Sequence, residues 1–128
     1  MAGVRLPQAT CNAEPSWWFY MMRVDPAELG GDADAFAEAL RAESLPAAAH
    51  YIGTCVYEYP LLAEHRAFDH GPPHPFARQA YGKGLCPEAE AILATTVILS
   101  IHETYGNEEL RQFARAIRRV AAWMRTRQ

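Results

Sequence analysis

Lysine is nearly absent from this sequence: Lys83 is the only one beside eleven arginines, so Schiff-base chemistry has one candidate amine and no other. Three cysteines, Cys11, Cys55 and Cys86, are odd in number and widely spaced. They suit neither a disulfide framework nor a paired-cysteine zinc site, and they fit a reducing, cytoplasmic setting. No apolar run approaches the roughly 18 residues of a membrane-spanning helix. The amino-terminal stretch has no apolar core behind a charged start, so a secretory signal is not expected either. Also missing are a glycine-rich phosphate loop, a serine nucleophile elbow, an internal repeat and a low-complexity tract. Charged residues make up 21% of the chain and hydrophobic ones 50%, a balance that excludes intrinsic disorder. The length of 128 residues leaves room for one domain, 1–128, with one modest core.

What is present falls into a readable order. Residues 16–24 are rich in aromatics and end at Asp25-Pro26, which predicts a strand. Alternation puts Trp17, Phe19, Met21 and Arg23 on one face and Trp18, Tyr20, Met22 and Val24 on the other, so both faces call for cover. Asp32 or Asp34 is placed to cap a helix reaching about Ser44, whose apolar stripe is Ala33, Phe36, Ala37 and Leu40. Residues 51–62 are β-rich but interrupted by Gly53 and Pro60; part of this stretch is expected as an extended or edge segment. The proline- and glycine-rich residues 63–84 read as a loop suited to contacts. A short helix is expected from Cys86-Pro87-Glu88 to about Ala94, and a buried strand over 95–101. Asn107 is expected to cap a last helix with an apolar seam of Leu110, Phe113, Ile117, Val120 and Met124. The sum is an α+β domain, a small sheet of about three strands with about three helices mainly on one face.

Charge is unevenly spread: residues 1–106 hold six basic and thirteen acidic side chains, and 107–128 hold six and two. The basic excess lies on the last helix as Arg111, Arg115, Arg118 and Arg119, with Arg125 and Arg127 beyond. Because these alternate with a core-facing seam in an otherwise acidic chain, a solvated or interface face explains them better than a grip on nucleic acid. Cys86 at a helix start is a candidate nucleophile, although free cysteines are ordinarily small buried hydrophobes. His65, His70 and His74 with Glu64 and Asp69 are possible metal ligands whose spacing matches no compact zinc pattern. Lys83 stands between Gly82 and Gly84 with no apolar surroundings evident. His102 and Glu103 follow the last strand, where side chains emerge at a sheet edge; they are the candidates for acid–base or hydrogen-bonding work, against a purely structural role in closing the turn.

Five runs are recognisable as a set: Glu14-Pro15-Ser16-Trp17-Trp18-Phe19-Tyr20, Leu40-Arg41-Ala42-Glu43-Ser44-Leu45-Pro46-Ala47, Tyr57-Glu58-Tyr59-Pro60-Leu61, Gly84-Leu85-Cys86-Pro87-Glu88-Ala89-Glu90 and Ile101-His102-Glu103-Thr104-Tyr105. In this order, with the closing amphipathic helix and Gly3-Val4-Arg5-Leu6-Pro7 ahead of them, they resemble the C-terminal part of the DegT/DnrJ/StrS family of sugar aminotransferases. The resemblance covers nearly the whole sequence and implies the small domain of a fold-type I pyridoxal-phosphate enzyme, which moves an amino group to a keto sugar or cyclitol. The family's Schiff-base lysine and phosphate-binding residues belong to a large domain that has no counterpart here, and Lys83 does not occupy that lysine's motif. The cofactor is therefore expected only with a separate large domain, and none is expected on this chain alone. Two readings follow. In one, the chain is an auxiliary, substrate-side module of amino-sugar, aminocyclitol or antibiotic biosynthesis, partnered by a pyridoxal-phosphate polypeptide or by its own copies. In the other, it is a repurposed, cofactor-independent enzyme or binding protein for a sugar-like intermediate, with His102 and Glu103 as acid–base groups and Tyr51, Tyr57 and Tyr105 contacting the ligand. Neither reading involves nucleic acid or a membrane.

Overall fold

The computed structural model describes residues 1–66 and 80–127. In chain order the first elements are β1 (Val4–Arg5), β2 (Phe19–Val24), α1 (Pro26–Leu29), α2 (Ala33–Ala42) and β3 (Ala47–Ala49). A 3-10 turn (Val56–Glu58), α3 (Pro60–Ala63), α4 (Pro87–Thr95), β4 (Thr96–Ser100) and α5 (Asn107–Arg125) follow. The fold is α+β, with a four-stranded antiparallel sheet in the order β1-β2-β4-β3. The chain divides into two compact units, Met1–Tyr51 with Ala94–Gln128, and Ile52–Leu93.

The first unit holds the sheet. Its two long strands pair in a register that sets Met22 against Val97 and Tyr20 against Leu99, and Met22, Val24, Val97 and Leu99 are buried. Against this face pack Phe36, Ala37 and Leu40 of α2 and Ile117, Val120 and Met124 of α5, the two apolar stripes that 3.6-residue periodicity predicts. The opposite face of β2, formed by Phe19, Met21 and Arg23, is only half-buried. Of the two faces that call for cover, the helices take the one bearing Met22 and Val24, and the other is partly covered.

Local chemistry explains the boundaries. Asp32 accepts the Ala35 N–H at 2.9 Å and caps α2, as its position predicts. Asp25 does the same for α1, accepting from Ala27 and Glu28, and Gly30 ends that helix at φ 80°. The N-cap of α5 is Gly106, not Asn107, which is the first helical residue. The reason is Glu109, whose carboxylate reaches back to accept the Gly106 N–H at 2.9 Å and satisfies an otherwise orphaned donor. The strand expected from residue 16 begins at Phe19, because its partner β4 ends at Ser100, directly across. Two short strands join the two long ones and bring the sheet to four against the expected three or so: β1, of two residues, and β3, three alanines with little intrinsic strand preference.

The second unit corrects the expectation that part of 51–62 forms an extended or edge segment. Its residues form the 3-10 turn and the single-turn α3, which Pro60 opens at its first position. Proline has no N–H to contribute to a ladder but suits a helix start. Glu58 accepts the Cys55 N–H at 3.0 Å and the Thr54 hydroxyl, tying the turn to the residues before it.

Candidate functional site

The turn that follows β4 carries the acid–base candidates. His102 and Glu103 are exposed, with their polar atoms 3.8 Å apart. The His102 Nδ1 lies 2.9 Å from the Thr104 hydroxyl and accepts the Thr104 N–H at 3.3 Å. Thus Nδ1 is the ring nitrogen engaged within the turn. The Tyr105 ring stands 6.1 Å from His102 and packs edge-on against Phe113 of α5 at 5.3 Å. His102, Glu103 and Tyr105 are therefore close neighbours, brought together by a tight turn whose Tyr105 N–H bonds back to the His102 carbonyl at 3.0 Å.

The other two tyrosines are placed elsewhere. Tyr51 is exposed in the first unit, its ring 4.9 Å from that of Phe19. Tyr57 lies in the second unit, where its hydroxyl donates to Glu90 Oε1 at 2.7 Å. The same carboxylate oxygen accepts the Gly84 N–H at 2.6 Å. Burial, then side-chain hydrogen bonds with Cys55 and Glu90, push the Tyr57 phenol well above its ordinary range. In return the Tyr57 hydroxyl, followed by the Gly84 N–H, holds the Glu90 carboxyl below the usual value, with Lys83 a further favourable charge. Glu90 was readable in the sequence only as a complement to the helix dipole. A partner 33 residues away leaves no signal in local spacing.

The aromatic residues at the start of β2 form the most exposed apolar feature of the first unit. Trp18 is 86% exposed and Trp17 43%, and the Trp17 ring leans on Tyr20 at 5.3 Å. Both tryptophans precede the first paired residue, Phe19, so no neighbouring strand shields them. Large exposed aromatics at one point on a surface are the usual composition of a contact site.

Lys83 is exposed within the turn of Gly82 to Gly84, where its charge helps to hold the Glu90 carboxyl down. Cys86 is exposed immediately before α4, Cys11 is exposed and Cys55 is buried. Of the possible metal ligands, Glu64 pairs with Arg66 at 3.4 Å and the His65 ring meets that of Tyr81 edge-on at 5.9 Å. Asp69, His70 and His74 lie outside the described residues. The arginines of α5 are exposed; Arg111 pairs with Glu108 at 3.7 Å within the helix, and Arg127 stacks on Trp123 at 4.8 Å. Among the described residues no helix is long and apolar enough to cross a membrane. The sequence matches no protein-family model and no curated protein.

Proposed function

We propose that the chain is the substrate-side small domain of a DegT/DnrJ/StrS-type sugar aminotransferase, working in the cytoplasm in amino-sugar, aminocyclitol or antibiotic biosynthesis. It is an auxiliary module and not a transaminase by itself. The catalytic lysine and the pyridoxal phosphate come from a large domain, carried either on a longer chain that includes these residues or on a separate polypeptide. The observation that carries this reading is the exposed Trp17-Trp18 pair. Tryptophan is the residue type whose truncation at the centre of an interface costs about 2 kcal/mol or more, and it is seldom left in water without a use. The exposure of Lys83, the only lysine of the chain, supports the same division of labour, since cofactor chemistry requires an enclosed amine.

Native mass spectrometry of the tagged protein recovered from its source cells tests the reading. The expected result is a complex whose mass includes a larger polypeptide bearing pyridoxal phosphate, or a longer chain containing this one, weakened when Trp17 and Trp18 are both replaced by serine. A monomer or homo-oligomer with no cofactor-bearing partner overturns it.

A further inference from the structure

A cleft of about 240 Å³ opens in the first unit between α5 and the inner face of the sheet. Tyr20 and Leu99, direct partners across β2 and β4, form its floor. Leu110, Phe113 and Ile117 form one wall, at the helical spacing that places all three on the same face of α5. Of the side chains that line it, only Tyr20 and Arg118 carry a polar group, a hydroxyl and a guanidinium. Both are donors, and neither makes a hydrogen bond or ion pair with another described residue. No carboxylate lines the cleft.

Two donors without a partner among the described residues, beside an apolar wall and with no carboxylate at hand, complement a molecule that is apolar over most of its length and ends in an acceptor group. Arginine matches a carboxylate with two parallel hydrogen bonds. Burial pushes the Tyr20 phenol up, which keeps its hydroxyl protonated and able to donate. At about 30 Å³ of liquid per water, the volume is roughly that of eight waters, the size of a short fatty acid. We propose that this cleft binds a small carboxylic acid with an apolar body, the carboxylate held by Arg118 and the Tyr20 hydroxyl and the body lying against Phe113 and Leu99. The proposal stands on the first unit alone and is independent of the partner reading above.

Octanoate and the uncharged 1-octanol are the probes, titrated into the full chain while amide chemical shifts are followed by NMR. Octanoate is expected to shift the amides of Tyr20, Leu99 and Phe113 at millimolar concentration or below and to bind more tightly than octanol. Arg118→Gln, at an exposed position, is expected to weaken octanoate by about fivefold or more, in line with a charge-assisted pair, and to leave octanol unchanged. Ala114→Trp, which fills the cleft, is expected to abolish both, with an unchanged melting temperature showing that the fold persists. Equal affinity for the two probes, octanoate binding that survives Arg118→Gln, or no shift at these amides overturns the proposal.

Discussion

Arg119 of α5 grips the carboxylate of Glu43 at the end of α2, its Nε donating to Oε1 at 3.1 Å and its Nη2 to Oε2, across 76 residues of chain. The fork geometry joins the two helices that cover the sheet. Both side chains remain open to water, Arg119 by 65% and Glu43 by 32%, so solvent screens much of the attraction. A double-mutant cycle with Glu43→Gln and Arg119→Met is expected to yield a coupling of about 0.2–1 kcal/mol in urea denaturation, falling as salt is raised. A coupling of zero at low salt would show that the pair is only a surface encounter.

The Tyr57–Glu90 contact gives the second unit a pH dependence. Because Glu90 titrates below its ordinary value in the folded state, the contact is at full strength above the ordinary carboxylate range and is lost as pH falls through the lowered value. Carbon-detected NMR of Glu90 should therefore show a depressed midpoint that moves up in Tyr57→Phe, since the hydroxyl is the largest cause. An identical midpoint in the variant would remove Tyr57 from the account. At alkaline pH the Tyr57 phenol should ionise after an ordinary tyrosine, visible by ultraviolet absorbance, and what its neutral form contributes is lost only as pH rises through its elevated value.

Gly3 is a position where glycine is required. Its φ is 73°, and a Cβ there would stand 2.9 Å from the Leu29 backbone. Its N–H also donates to Glu28 at 2.9 Å, and its carbonyl accepts the Asp25 N–H at 2.9 Å. Gly3→Ala combines an unfavourable backbone region with a clash and is expected to destabilise by more than about 1 kcal/mol. Thermal unfolding of the variant measures this, and an unchanged melting temperature would mean that β1 contributes nothing to the unit.

Arg5 and Arg23 face each other across β1 and β2. Arg23 is engaged through Nε with the Thr95 hydroxyl at 3.1 Å, which fixes one cation opposite the other. Like charges directly across an antiparallel pair are unfavourable, and an opposite-charge pair gains about 0.2–1 kcal/mol. Arg5→Glu should accordingly raise stability by that order at low salt, with the gain shrinking in high salt. A loss of stability would indicate that the Arg5 side chain has a favourable role.

Apolar periodicity and helix capping made much of this protein legible. The stripe of Phe36 and Leu40 and the seam of Ile117, Val120 and Met124 announce two helices that bury one side, because a 3.6-residue repeat depends only on local order. The β-branched run of β4 and the aromatic run of β2 announce the two central strands for the same reason. The fate of residues 51–62 was not legible, since tyrosine and valine favour strands on average while Pro60 opens a helix locally. Nor was β3, whose three alanines become a strand only because β4 offers them a ladder.

The sequence by itself determined the α+β class and the inward faces of the principal helices, which follow from the spacing of apolar side chains along the chain. Only the tertiary structure decided which polar groups meet. Tyr57 with Glu90, and Arg119 with Glu43, are pairs separated by tens of residues, and no local preference encodes them. The exposure of Trp18 belongs to the same class. It follows from Phe19 being the first residue that β4 can pair, and where a partner strand ends is a property of the assembled sheet.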